Sequence, residues 1–271
     1  MGRVDGALRL TLLALLLQPV GDRRIRPAAL ALAAIGSLLP GWRRTAWLWG
    51  ALAALAGARV VLDWPMADNH AYLLCWWCVA ITVALSGRAG DAERVLALDA
   101  RLLVGLVFAC ATLWKAVLAP DFLDGRVLRV TLVGDARFAR AATSLAGLAP
   151  HELADFRRFV AQHVDGPSPA LEPPAQPARF RRVAALATVW TVAIEAAVAL
   201  TFLSPVGRRV SRARDACLLA FAVTSYPVAP VAGFGWLLIA LGVAQAERAW
   251  AVPAYVATFV ALIVVRGLLG P

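Results

Sequence analysis

Lysine is nearly missing from this chain: of its 27 basic residues only Lys115 is a lysine, and the rest are arginines. Charged residues of either sign make up 16% of the 271 positions, against about 25% in an ordinary soluble domain. Histidine is scarce too, with three copies, and no two stand at metal-ligand spacing. There is no P-loop, no dinucleotide fingerprint and no serine elbow, so the familiar soluble nucleotide-binding and hydrolase classes are excluded. Strict alternation with polar lumen positions is also lacking, which argues against a transmembrane barrel.

What is present is apolar surface. Hydrophobic residues reach 61%, and they form uninterrupted runs such as Thr188 to Leu203 and Tyr255 to Val265. Apolarity on all sides of a helix reads as contact with lipid rather than with one buried core face. The fold class expected is therefore an all-α integral membrane protein, a polytopic bundle of about eight or nine transmembrane helices with one long extramembrane loop. Nine helices are predicted, over about 6–20, 27–40, 44–62, 68–86, 98–118, 183–204, 214–228, 231–246 and 249–268. Several are short for a hydrocarbon layer of roughly 30 Å, and Pro227 and Pro230 break the seventh from the eighth. Arg3 and the run Leu10 to Leu17 imitate a signal peptide. No small-residue cleavage site follows Gln18-Pro19, so this segment is expected to remain as the first helix.

Residues 1–271 read as a single transmembrane domain, with a polar loop over 121–182. The first part of that loop sets Phe138, Leu145, Leu148, Leu153, Phe156 and Phe159 among arginines, a pattern suited to short interfacial helices. Its second part, 166–177, is a proline-rich linker.

The net charge of +10 raises the possibility of nucleic-acid binding, but the arginines are placed wrongly for it. Arg23, Arg24 and Arg26, then Arg43 and Arg44, then Arg208, Arg209, Arg212 and Arg214 lie in short gaps between apolar segments, as topology-setting charges do. Counted over nine spans, Arg3, Arg43, Arg44, Arg88, Arg94, Arg208, Arg209, Arg212, Arg214 and Arg248 fall on one face. Outside the long loop, Arg23, Arg24, Arg26, Arg59 and Arg266 fall on the other, so the N-terminus is expected in the cytoplasm; the location expected is a bacterial inner membrane.

Three polar positions interrupt the apolar segments. Lys115 lies in Phe108-Ala-Cys-Ala-Thr-Leu-Trp-Lys-Ala-Val-Leu118, with Ala111, Thr112 and Ala119 on its face. Arginine stays protonated, whereas a desolvated lysine can give up its proton and act as a base; snorkelling beside Trp114 to the interface is the simpler account. Asp63-Trp-Pro-Met-Ala-Asp-Asn-His70 precedes the fourth span on the same outer side. There Asp68 suits an N-cap, while Asn69 and His70 suit either a wetted interface or the stabilisation of negative charge. Glu195 is an intramembrane carboxylate, to be paired with Lys115 or bonded in neutral form across helices. Cys75-Trp-Trp-Cys78 has redox spacing but reads first as packing on a helix.

In order and spacing these sites resemble the horizontally transferred transmembrane (HTTM) domain, the membrane part of vitamin K-dependent γ-glutamyl carboxylase and its bacterial relatives. Asp63-Trp-Pro-Met-Ala-Asp-Asn-His-Ala-Tyr-Leu73 is similar to the family's Asn-His-x-Tyr-Leu helix start. Ala111-Thr-Leu-Trp-Lys-Ala-Val-Leu-Ala-Pro-Asp-Phe-Leu-Asp-Gly125 is similar to its lysine followed by an aspartate, an aromatic or aliphatic pair and a glycine. Glu195 matches an acidic residue in the next long span, and Ala232-Gly-Phe-Gly235 a late glycine-aromatic helix start. The resemblance implies that Lys115 deprotonates a reduced, vitamin K-like quinone, with O2 and CO2 as further reactants. His70 and Asn69 would stabilise the negative charge, and Glu195, Trp114 and Tyr72 would contact the substrate. The chain departs from the carboxylase in ending at Pro271 without a large extramembrane domain. It also reads Ala222-Val-Thr-Ser-Tyr226 where the carboxylase has a histidine, so carboxylation of a peptide is not expected. Two readings stand: a membrane enzyme acting on a quinone-like or other lipid-soluble substrate, and a non-catalytic module that binds a lipid or a partner membrane protein through a structural Lys115–Glu195 pair. No metal and no nucleic acid is expected.

Overall fold

The computed structural model describes residues 2–18, 22–87, 91–164, 176–229 and 231–269. Arg88, Pro19, Pro230, Pro271 and most of the proline-rich linker lie outside the described residues. Within them every regular element is helical. The helices are α1 (Arg3–Leu17), α2 (Arg26–Leu38), α3 (Pro40–Arg43), α4 (Ala46–Leu62), α5 (Asn69–Ser86) and α6 (Ala92–Leu113), which runs on as a π-helical turn over Trp114–Leu118. There follow α7 (Pro120–Leu123), α8 (Arg126–Gly134), α9 (Pro150–Val164), α10 (Ala178–Leu203), α11 (Arg214–Ser225), α12 (Ala232–Gln245) and α13 (Ala251–Leu269).

Prolines start α2, α3 and α7, where a missing N–H costs nothing. Asp68 takes the N-cap position of α5 in extended conformation, but its carboxylate does not cap the helix. It turns instead toward Arg59 and His70.

The nine apolar segments read from the sequence all form helices, as α1, α2, α4, α5, α6, α10, α11, α12 and α13. Among the described residues three stretches are long and apolar enough to cross a membrane: Asn69–Ser86, Ala92–Leu118 and Ala178–Leu203. Shorter apolar helices cover Arg26–Leu38, Ala46–Leu62, Ala232–Gln245 and Ala251–Gly267. The 14 residues of α12 rise only roughly 21 Å, less than a hydrocarbon layer.

The shortness of α12 goes with its position. Nearly every side chain on it is buried, because it packs against α1, α13 and α6, with α5 and α11 also in contact. The hairpin of α4 and α5 lies to one side, and α6 pairs along its length with α10. Two of the buried tryptophans are satisfied within this bundle: Trp77 Nε1 donates to Thr11 Oγ1 at 2.9 Å, and Trp49 Nε1 donates to the Arg43 carbonyl at 2.8 Å, whereas Trp236 Nε1 has no hydrogen-bond partner among the described residues. Arg43, expected as a loop charge, is instead buried, its Nε and Nη2 donating to Asp5 Oδ1. The outward faces of α6 and α10 carry large apolar side chains in the open, among them Leu98, Leu102, Leu106, Leu186, Val189 and Leu200. An apolar band of this kind suits a hydrocarbon solvent.

The loop after α6 folds on a second, smaller apolar cluster. Leu132, Val133, Leu148, Leu153 and Phe156 pack with Phe180 and Ala184 of α10, so the short helices expected there use the first turns of α10 as their floor.

Candidate functional site

Lys115 stands inside the π-helical turn Trp114–Leu118. A π turn widens the helix by one residue per turn and recurs at functional positions. Here it redirects the end of α6, and Ala119 and Pro120 then reverse the chain into α7. Phe122, buried on α7, comes to lie under the ammonium, 5.5 Å from ring centroid to Nζ. Arg126 holds the reversal by pairing with Asp121 and Asp124. Gly125 closes it at φ +78° and abuts Thr188 and Ala185 of α10. The Lys-to-Gly stretch is thus a structural unit: a widened turn, an aromatic under the lysine and a glycine where positive φ is needed.

The ammonium does not snorkel outward. Nζ donates to both oxygens of Glu195, at 2.7 Å to Oε1 and 2.6 Å to Oε2, with side-chain exposures of 15% and 9%. Helical side chains lean toward their own N-terminus, so Lys115 points back into the bundle along α6, and Glu195 on the antiparallel α10 points up to meet it. A second tie fixes the register of the two helices. Arg101, near the other end of α6, donates from Nε to the Phe202 carbonyl at 2.7 Å and from Nη2 to that of Ser204. Between the two ties α6 rises roughly 21 Å and α10 about 10 Å, and the long side chains take up the difference.

Among the described residues four buried side-chain polar atoms have no hydrogen-bond partner, Tyr226 Oη, Thr112 Oγ1, Trp236 Nε1 and Arg157 Nη2, and the two hydroxyls lie on the side of this pair. Thr112 sits three positions before Lys115 on α6, hence on its side of the helix. Tyr226 ends α11 and lies within electrostatic reach of Glu195. Its ring packs against Gly235, where an added Cβ would come within 2.8 Å of it, and edge-on to Phe221 at 5.8 Å. Tyr226 was not singled out from the sequence; a tyrosine in an apolar run looks like core.

His70 belongs to a different group. It lies 3.7 Å from Asp68, which also faces Arg59 at 3.9 Å, and Arg59 pairs with Asp63 at 3.1 Å. Arg137 is within electrostatic reach of both Asp68 and His70. His70 lines a cavity of about 40 Å³ together with Thr11, Gln18, Arg59 and Gly233, room for a water molecule or two. Lys115 is not among those walls, and no hydrogen bond or ion pair joins it to His70 among the described residues. Asn69 is exposed at the first position of α5, and Tyr72 is half-buried one turn on. Trp114 is 49% exposed, with its ring 6.4 Å from Phe122. Among the described residues, then, no hydrogen bond or ion pair links the Lys115–Glu195 pair to the Asp68–His70–Arg59 cluster.

Cys75 and Cys78 are both free thiols. Cys75 Sγ lies 3.7 Å from the Ala53 carbonyl, and Cys78 is buried, so both serve packing between α4, α5 and their neighbours. Among the described residues no three His, Cys, Asp or Glu side chains gather as a metal site.

A buried network at the opposite end was not read from the sequence. Asp215 Oδ1 accepts from Gln245 Nε2 at 2.7 Å and from Tyr255 Oη at 2.9 Å. Arg214 donates from Nε to Gln245 Oε1 and pairs with Glu247 at 3.1 Å. Adjacent opposite charges opening an apolar helix, with a lone glutamine ending another, were the available signals. Set beside known proteins, the chain matches no family model, no curated protein and no solved structure.

Proposed function

We propose that this chain is a polytopic membrane protein, similar to the HTTM proteins, which acts on a quinone-like or other lipid-soluble substrate through Lys115 and Glu195 as an acid–base pair. The observation that carries this reading is the closed ion pair itself, set in an apolar bundle beside two hydroxyls that lack partners. Burying a charge pair costs several kcal/mol of desolvation per ion (about that order), and packed apolar residues often serve stability as well or better. A pair retained there has a use beyond stability.

The chemistry follows from proton bookkeeping. In hydrocarbon the ammonium–carboxylate pair can pass one proton along its short hydrogen bond, leaving a free amine beside a carboxylic acid. The amine then takes the proton of a substrate hydroxyl: the substrate O–H breaks, an N–H forms, and the resulting oxyanion faces the restored ammonium. Tyr226 and Thr112 can donate to that oxygen. Phe122 holds the ammonium in place through its ring face. The exposed apolar faces of α6 and α10 give entry from the lipid, and the Lys115 end of α6 faces away from the cytoplasm. His70 and Asn69 take no part in this step and form a second polar patch on the same side.

The test is turnover of a reduced quinone by the purified chain in native lipid, with mass spectrometry of whatever small molecule co-purifies. Lys115→Ala and Lys115→Arg should both abolish turnover. Activity retained in the arginine variant would show that charge, not proton transfer, is what the position supplies.

A second reading has its own support, since both carboxylate oxygens are engaged by Nζ and the pair can serve as a clasp between α6 and α10 in a non-catalytic module that binds a lipid or partner protein. In that case the exchange Lys115→Glu with Glu195→Lys restores folding and function together, which an acid–base role does not permit.

A further inference from the structure

The end of the bundle opposite the Lys115–Glu195 pair holds a cavity of about 610 Å³. Its walls include Arg3, Arg94, Arg101 and Arg214 against only Glu93 and Glu247. The two glutamates are already taken. Arg3 pairs with Glu93, and Arg214 with Glu247. Arg94 is exposed and has no ion pair among the described residues. Arg101 donates to backbone carbonyls rather than to a carboxylate, so two guanidinium charges at this cavity have no carboxylate partner.

What surrounds the arginines is apolar and open. Leu98 and Val206 line the same cavity and are 53% and 62% exposed. From Leu98 the exposed leucines continue at Leu102 and Leu106, a four-residue spacing that keeps them on one face of α6. The cavity therefore opens onto a greasy stripe that leads along the helix toward the middle of the bundle, about 12 Å over those eight residues. A guanidinium cluster recognises phosphate oxygens, and a stripe of leucines accommodates an acyl chain.

We propose that this cavity binds a phosphate group, and that its source is the headgroup of an anionic phospholipid whose chains lie along Leu98, Leu102 and Leu106. This rests on the membrane reading above. The arginine-rich end then lies in the leaflet that faces the cytoplasm, where anionic headgroups meet basic pockets between helices.

The experiment uses the full chain in mild detergent, titrated separately with phosphatidylglycerol, phosphatidylcholine and inorganic phosphate, with bound lipid counted by native mass spectrometry and the thermal midpoint recorded. Phosphatidylglycerol should bind in preference and raise the midpoint. Arg94→Gln should weaken phosphatidylglycerol about fivefold, the worth of one arginine beside an anionic lipid, and leave phosphatidylcholine binding and the lipid-free midpoint unchanged. Arg101→Gln, which removes the charge but keeps an amide donor for the α10 carbonyls, tests the second charge and should weaken phosphatidylglycerol by a similar factor. Equal binding of the two lipids, or an Arg94→Gln variant as selective as the parent, overturns the assignment. Saturation by inorganic phosphate with no preference between lipids assigns the cavity to a soluble phosphate ester and removes the lipid. Flotation of the reconstituted chain with vesicles separates the two levels: a chain that floats without headgroup preference loses this site alone, and a chain that does not float loses the membrane reading with it.

Discussion

Lys115 and Glu195 are 80 positions apart in the sequence, and Nζ stands within hydrogen-bonding distance of both carboxylate oxygens. Either residue alone would leave an uncompensated charge in apolar surroundings. Replacing one partner, as in Glu195→Leu or Lys115→Met, should therefore destabilise the fold by about 3–5 kcal/mol. The double variant removes both charges and should return close to the parent stability, since apolar residues of similar size pack there without desolvation. Chemical unfolding in detergent across this four-member cycle measures the coupling. Single and double variants of equal stability would mean that the pair is solvated and carries no energetic weight.

Tyr255 and Asp215 offer a comparison at the other end. Tyr255 Oη donates to Asp215 Oδ1 at 2.9 Å, and both side chains are buried. Tyr255→Phe keeps the ring against Gly242 but removes the donor, leaving the carboxylate with Gln245 alone. The expected loss is about 1–3 kcal/mol, the cost of a buried acceptor deprived of a partner. An unchanged thermal midpoint in Tyr255→Phe would show that Asp215 finds another donor.

The elements were legible because apolar runs in this chain are long and unbroken, so α6, α10 and α13 declare themselves by composition alone. The number of spans was not legible in the same way. Whether a 14-residue helix such as α12 crosses, or sits within a bundle, is decided by what packs around it, and α12 is enclosed by α1, α6 and α13. The partner of Lys115 was legible only as one of two options, since a glutamate in an apolar segment can pair with a lysine or bond across helices in neutral form, and the structure shows the pair. Which groups His70 meets was not legible, because that depends on the rotation of α5 about its axis, and its partner is Asp68. Arg43 shows the limit of reading charges by loop position: it lies between helices in the sequence yet is buried against Asp5.

Gly125 gives a backbone prediction tied to the Lys-to-Gly motif. Its φ of +78° is disfavoured for any residue with a Cβ, while the space around it is ordinary, the nearest atom to an added Cβ being Thr188 Oγ1 at 3.6 Å. Gly125→Ala should therefore cost about 1–2 kcal/mol from the left-handed backbone alone. Gly41 in α3 has no positive φ and nothing within 4 Å of an added Cβ, so Gly41→Ala should be neutral or gain roughly 0.5–1 kcal/mol. Thermal midpoints of the two variants, measured side by side, should move in opposite directions or at least differ in that order.

The Asp135–Arg137 turn supplies a pH dependence outside the long helices. Arg137 hydrogen-bonds the Asp135 carboxylate through its side chain, and this is the main cause that holds the carboxyl below the ordinary aspartate value of 3.8. Burial opposes the shift, while the Arg137 backbone N–H adds to it. A carboxyl depressed in the folded state releases its proton more readily there than in the unfolded chain. Its stabilising contribution is therefore complete above the unfolded value and fades as pH falls through 3.8 toward the lower folded value. Asp135→Asn cannot titrate, so its stability should fall less steeply than the parent's between pH 5 and the acid limit (about 3), with the two curves furthest apart near neutrality. Parallel curves for parent and variant across that window would show that Arg137 holds the turn without drawing on the charge of Asp135.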